Sequence, residues 1–250
     1  MIPEFNPFSL NGKTILVTGA SSGIGKEIAI TCSKMGARVI LTGRNKERLL
    51  ETCNSIGQSE TECFIADLAV MDEINNLASE LPPLDGIVLA AGIVEMWPIS
   101  FAAPEKFHKI FQTNLFSPIE MLRQIIKKKK FNKGLSVVAI DSIAGNEDFA
   151  VGNSIYGAGK AALKSFLKFF SLEMIEKGIR VNTISPGLIL TPMQTKGAVG
   201  EDDLQKAINK VPMKRWGYPN DIAPAAVFLL SDASSYMTAS DIKIDGGYTI

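Results

Sequence analysis

The sequence predicts an α/β fold: one domain built on a doubly wound, parallel β-sheet of about seven strands with helices on both faces. Three observations predict it. Short β-rich runs alternate with longer helical patterns throughout the chain, the order that crossover helices between parallel strands require. The 250 residues are 46% hydrophobic, enough for one large core, and contain no repeat, low-complexity tract or linker that would divide them. Polar and glycine-rich clusters fall just after the strands or at helix starts, where ligands bind in such sheets.

The strands are expected at Thr14–Thr18, Arg38–Thr42, Glu62–Ala66, Gly86–Ala90, Leu135–Ile140, Arg180–Ile184 and Asp241–Ile244. Two long helices are expected between them. In Pro104–Phe131, Phe107, Ile110, Phe111, Leu115 and Ile119 recur at helical steps; in Gly152–Glu176, Tyr156, Ala162, Phe166 and Phe169 do. Residues 1–10 read as a short N-terminal extension and roughly 187–215 as a lid on the substrate side.

Composition excludes several classes. The 26 basic and 26 acidic residues cancel, so no global field draws the chain to nucleic acid or anionic lipid. Met1–Leu10 has neither a basic start nor a long apolar run and is not read as a signal peptide. No stretch approaches the roughly 18 uncharged apolar residues of a spanning helix. Cys32, Cys53 and Cys63 have no metal-type spacing and are expected as free thiols in a cytoplasmic protein. His108 is the single histidine and is expected on an exposed helix face, which leaves no zinc site.

The first strand runs into Thr18-Gly19-Ala20-Ser21-Ser22-Gly23-Ile24-Gly25, and a helical pattern follows. Glycines permit the tight turn, and the helix start offers free N–H groups and partial positive charge to a pyrophosphate. Ala20 and Glu27 exclude a P-loop. The second strand ends in Thr42-Gly43-Arg44-Asn45. An acid there would grip ribose hydroxyls; Arg44 instead suits a phosphate, so NADP(H) is expected over NAD(H). Tyr156 and Lys160 stand four residues apart, on one helix face. A cation so placed lowers a phenol's pKa by about 1–3 units and makes it a serviceable proton donor.

Taken together and in order, these pieces resemble the short-chain dehydrogenase/reductase superfamily, from roughly Phe8 to the C-terminus. The matching residues are the Thr18–Gly25 turn, Asp67-Leu68, Ala91-Gly92, Asn114, Ser142, Tyr156 with Lys160, Ile179-Arg180-Val181-Asn182, Pro186-Gly187 and Thr191. The resemblance implies an NAD(P)-dependent oxidoreductase that exchanges hydride with a carbonyl or secondary alcohol. It implies that Tyr156 moves the proton, Ser142 bonds the same oxygen, Lys160 assists Tyr156 and holds the nicotinamide ribose, and Asn114 fixes a relay water. Gly19, Ser21, Ser22, Gly23, Ile24, Gly25, Arg44, Asp67, Leu68, Ala91, Gly92, Tyr156, Lys160, Pro186, Gly187, Ile189 and Thr191 are the expected cofactor contacts, Asp67 at the adenine and Thr191 at the carboxamide. No metal is expected.

The chain departs from the family twice. Leu89-Ala90-Ala91-Gly92 stands where Asn-Asn-Ala-Gly is usual, for which a modest loss of rigidity is expected, and Thr238-Ala239 stands where Thr-Gly is frequent, read as a minor change at a turn. The pattern looks most like the 3-oxoacyl-[acyl-carrier-protein] reductase branch, which implies a thioester ketone carried on acyl carrier protein and a homotetramer. A sugar, polyol or steroid dehydrogenase is the alternative enzyme. A cofactor-sensing protein is the alternative from another class, against which stands the complete set Asn114, Ser142, Tyr156 and Lys160. Met96, Trp97, Phe149, Leu188 and Met193 are expected to ring the substrate pocket, and Lys127–Lys130 reads as a solvated helix end or as a docking patch for an acidic carrier.

Overall fold

A computed structural model of the chain describes residues 6–57, 61–195 and 201–250. Residues 1–5 of the expected extension and 196–200 of the expected lid lie outside the described residues. The strands are β1 (Thr14–Thr18), β2 (Arg38–Gly43), β3 (Glu62–Ile65), β4 (Leu84–Leu89), β5 (Phe131–Ile140), β6 (Arg180–Pro186) and β7 (Asp241–Ile244). They pair in parallel in the order β3-β2-β1-β4-β5-β6-β7. Strand order reverses between β1 and β4, which opens a crevice at their carboxyl ends.

The helices are α1 (Gly23–Lys34), α2 (Lys46–Ile56), α3 (Met71–Glu80), α4 (Pro104–Phe111), α5 (Ser117–Lys127), α6 (Ser154–Met174), α7 (Pro192–Thr195), α8 (Glu201–Lys210) and α9 (Pro219–Leu230). Alternation along the strands sends successive side chains to opposite faces. Ile15, Val17, Val39, Leu41, Val138 and Ile140 pack against α1 and α9, whereas Leu16, Ile40, Val137 and Ala139 pack against α3, α5 and α6. Both faces of the central sheet are thus covered, and β1, β2 and β4 read as nearly continuous apolar runs for that reason.

Three expectations need correction. β5 starts at Phe131, not Leu135; its first residues pair with Leu84 across a register shift, and Asn132-Lys133-Gly134 hide them from an apolar-pattern reading. The helix expected over Pro104–Phe131 is two helices joined by a π-helical segment, Gln112–Phe116, and it stops at Lys127. Lys129 takes the left-handed conformation (φ 55°), so the lysine run is mostly a turn. In α6 the buried stripe is Leu163, Leu167 and Phe170, and Phe169 is 67% exposed.

Candidate active site

The carboxyl ends of β1 and β4 are joined by one hydroxyl. Thr18 Oγ1 donates to the Val88 carbonyl (3.2 Å) and accepts from the N–H groups of Ala90 (3.0 Å) and Ala91 (3.2 Å). Gly19 follows at φ 67°, and a Cβ there would lie 2.8 Å from Ala91 Cα. Only glycine accepts both that conformation and that approach. The turn Ser21, Ser22, Gly23, Ile24 and Gly25 then enters α1, whose Ser22 cap position leaves the first N–H groups without a side-chain partner. Thr191 lies over this turn, 3.3 Å from where a Gly23 side chain would begin.

Arg44 is exposed at the end of β2, and Asn45 behind it caps α2 by accepting the Arg48 N–H (2.9 Å). Asp67 follows β3; its Oδ1 accepts the Ala69 N–H (3.0 Å) while its own N–H donates to Glu73 (2.7 Å). Leu68 is buried, and its carbonyl accepts the Ser117 hydroxyl (2.5 Å), which leaves its side chain to the core.

Asn114 sits in the π-helical segment and is 1% exposed. Its Oδ1 accepts the Ile93 N–H (2.9 Å) and its Nδ2 donates to the Ile93 carbonyl (2.8 Å), clamping the loop after β4 beside Gly92. The asparagine-poor Leu89-Ala90-Ala91-Gly92 stretch is therefore held by Thr18 and Asn114. Lys160 is buried, donates from Nζ to the Ile140 carbonyl at the end of β5 (2.7 Å) and lies 5.8 Å from the Tyr156 ring centre. Ser142, two residues past Ile140, is half-buried and accepts the Ala144 N–H (3.1 Å). A small cavity lined by Thr18, Ala91, Thr113 and Lys160 continues behind this group. Pro186 accepts the Ile143 N–H (3.2 Å), Gly187 donates to Ile244 (2.9 Å), and Ile189 is buried against Gly217. One crevice thus gathers the glycine turn, Ala91-Gly92, Asn114, Ser142, Tyr156, Lys160 and Thr191, with Arg44 and Asp67 on the flanking strands.

Sequence reasoning passed over three features. Gly145 and Gly157 bring the β5–α6 loop onto α6 backbone to backbone: a Cβ on Gly145 would stand 2.2 Å from the Gly157 carbonyl oxygen. Lys106, on α4, sets its Nζ 3.2 Å above the Trp97 ring and ties that loop to the helix. Asp141 is a buried acid directly before Ser142 whose carboxylate oxygens have no hydrogen-bond partner among the described residues. Burial raises its pKa to about 6, against the pull of Lys160 and Lys164. The available signal was an acid directly after the apolar run Val137-Val138-Ala139-Ile140. Among the described residues no cluster of His, Cys, Asp or Glu could hold a metal, and no helix is long and apolar enough to cross a membrane.

The family model for enoyl-(acyl carrier protein) reductase matches residues 19–249. A 3-oxoacyl-[acyl-carrier-protein] reductase of Rickettsia felis is 37% identical over 238 residues, covering 95% of this chain and 97% of that protein. A 7alpha-hydroxysteroid dehydrogenase of Escherichia coli is 32% identical over 244 residues, covering 95% and 94%. Among solved structures, the RhlG/NADP active-site complex of Pseudomonas aeruginosa superposes with a TM-score of 0.91 at 30% identity, over 98% of this chain and all (100%) of that one.

Proposed function

The chain belongs to the short-chain dehydrogenase/reductase superfamily and is an oxidoreductase of carbonyls or alcohols, and from that premise we propose that it reduces 3-oxoacyl thioesters with NADP(H). The observation that carries the substrate class is the rim of the crevice. The loops and the short helix that follow β4, β5 and β6 expose Met96 (61%), Ile99 (79%), Phe101 (62%), Phe149 (80%), Val151 (90%) and Met193 (40%). Apolar side chains so exposed suit an acyl chain and offer a sugar's hydroxyls few partners. A steroid is the second reading, since it would find the same apolar rim congenial.

The residues present fit a dinucleotide. The turn from Gly19 to Gly25 has no room for a Cβ at Gly19 or Gly25 and presents the open start of α1, which suits a pyrophosphate. Arg44 suits a 2′-phosphate, Asp67 the adenine, Lys160 the nicotinamide ribose, and Thr191 with the Pro186-Gly187 turn the carboxamide. The bound nicotinamide supplies the hydride. Tyr156 gives its proton to the ketone oxygen, Ser142 donates a hydrogen bond to that oxygen as charge gathers on it, and Lys160 stabilises the phenolate left behind. Asn114 holds the floor of the site through Ile93.

The decisive assay follows NADPH absorbance against acetoacetyl and longer 3-oxoacyl thioesters, a steroid ketone and oxidised sugars. The thioesters should lead in kcat/KM by about tenfold or more; a steroid or sugar in front overturns the substrate assignment. Tyr156→Phe should lower kcat by about 10²–10⁴-fold with cofactor affinity kept. A folded variant with more than about a tenth of wild-type kcat would remove Tyr156 from its role. We further place the enzyme in the cytoplasm as a homotetramer of D2 symmetry. Phe169 and Leu172 on α6, Ile175 directly after it, and Phe116 directly before α5 are exposed apolar residues that assembly would cover, and light scattering at micromolar concentration tests it.

A further inference from the structure

Behind the reaction centre lies a second group of charges. Asp141 closes β5 between Ile140, which holds Lys160, and Ser142; it is 3% exposed, and its N–H donates to the Ile184 carbonyl (2.7 Å). Its side chain faces α6 and the β6–β7 side. From α6 it meets Lys160 and Lys164, the latter with Nζ 3.9 Å from Oδ2, too long for a hydrogen bond. From β7 it meets Asp241, which takes the hydrogen bond from Lys164 (2.7 Å) and those from the β6 hydroxyls of Thr183 (2.6 Å) and Ser185 (2.8 Å). Lys164 thus gives its short hydrogen bond to Asp241, and among the described residues the Asp141 carboxylate has cations nearby and no side-chain hydrogen bond, only the pull of the adjacent Ser142 N–H.

We propose that Asp141 is a positioning residue for the reaction: a carboxyl set behind Ser142 and between the two α6 lysines, whose charge subtracts from the positive potential that the substrate oxygen meets. The inference rests on the reading of Tyr156, Ser142 and Lys160 as the reaction centre. Its sign follows from electrostatics. Ketone reduction gathers negative charge on the oxygen, so an ionised Asp141 opposes the transition state and a neutral one does not. With its pKa raised by burial to about 6, the group is ionised above that pH and neutral below it. Reduction should therefore accelerate as pH falls through this range.

Two variants and two kinds of measurement test this. In Asp141→Asn the inflection near pH 6 should vanish from the kcat profile for ketone reduction, and well above that pH the variant should outrun wild type by about three- to tenfold. NADPH affinity, read by its fluorescence, should tighten in wild type as pH falls through the same range and stay level in the variant. An isotope-edited infrared titration of the Asp141 carboxyl in wild type should show it protonating near pH 6, and in Lys164→Met at higher pH, because a neighbouring cation is gone. A carboxyl that stays ionised throughout overturns the proposal, as does an Asp141→Asn profile that runs parallel to wild type in both turnover and NADPH binding. A wild-type protein that reduces no ketone overturns the enzymatic reading instead, and the NADPH and infrared titrations still decide on Asp141.

Discussion

Replacing Asn114 with alanine tests whether the floor of the site is held as the structure shows. The amide makes two hydrogen bonds to one residue, accepting from Ile93 N–H at 2.9 Å and donating to its carbonyl at 2.8 Å. Two net hydrogen bonds at about 1 kcal/mol each set a floor near 2 kcal/mol, and the cost rises toward about 4 kcal/mol if neither Ile93 group reaches water. Ile93 is half-buried, which favours the lower part of that range. For a chain of this size each kcal/mol moves the melting point by about 2–4 °C, so the variant should melt about 4–16 °C below wild type. Hydrogen exchange should report faster exchange at the Ile93 amide than at strand amides such as Val88. Turnover should also drop at temperatures where the variant is fully folded, because Ala91 and Gly92 lose their support. A loss of less than about 1 kcal/mol with unchanged exchange at Ile93 would refute the clamp.

Three further outcomes follow from particular residues. Arg44→Ala should weaken NADPH binding by about 1.5–3 kcal/mol, the range of a hydrogen bond to a charged group, and leave NADH nearly untouched; equal wild-type affinities for the two cofactors would refute the preference. Ala239→Gly should stabilise the protein by about 0.5–1 kcal/mol, since Ala239 is held at φ 56°, where a Cβ costs about 1–2 kcal/mol and glycine's extra chain entropy offsets about half of that. A lower melting point for that variant would show the strain to be absent. Lys127→Glu with Lys129→Glu reverses the two exposed charges of the lysine turn; it should lower kcat/KM for carrier-bound thioester at low salt and not for free thioester, and equal effects on both would remove the docking role.

The inner strands β1, β2 and β4 were legible because both sheet faces are buried there, and a buried parallel strand announces itself as a nearly unbroken apolar run; the edge strands β3 and β7 are only partly buried and were legible from their place in the alternation. The strand that was misjudged, β5, begins with Phe131-Asn132-Lys133-Gly134, residues that solvent reaches and that carry no such run. Periodicity located α6 but placed Phe169 on the stripe that Phe170 occupies, since a one-residue rotation is a small error in a pattern of period 3.6 and a full change of surroundings for the side chain. The candidate site residues read as short motifs in order, and the fold sets the glycine turn, Asn114, Lys160 and Thr191 along the carboxyl ends of the strands. Their partners were not legible. Asn114 bonds across 21 residues and Thr18 across 72, and spacing along the chain says nothing of pairs closed by tertiary structure. Ala239 reads from sequence as a minor change at a turn because a turn residue's handedness is invisible until its φ is known.

The two kinds of hold in this crevice explain how one framework can keep its chemistry while its substrate varies. The proposed reaction centre is fixed to backbone: Lys160 to the Ile140 carbonyl, Asn114 to both polar groups of Ile93, and Thr18 to the strand beside it. Gly145 against Gly157 seats the next loop on α6 at a spacing that no side chain permits. Such holds tolerate little change, because each substitution orphans a buried polar group or forces two backbones apart. The rim is held differently. Its loops meet through the Trp97 N–H donating to Gly152 (2.8 Å) and through Lys106 over the Trp97 ring, while Ile99, Phe149 and Val151 stay largely in solvent. Changing an exposed apolar side chain costs the folded state little, so the rim can be refitted to another substrate without disturbing Tyr156 or Lys160. On the proposed function, the buried clamps hold the reaction class, and substrate choice falls to side chains that stability does not constrain.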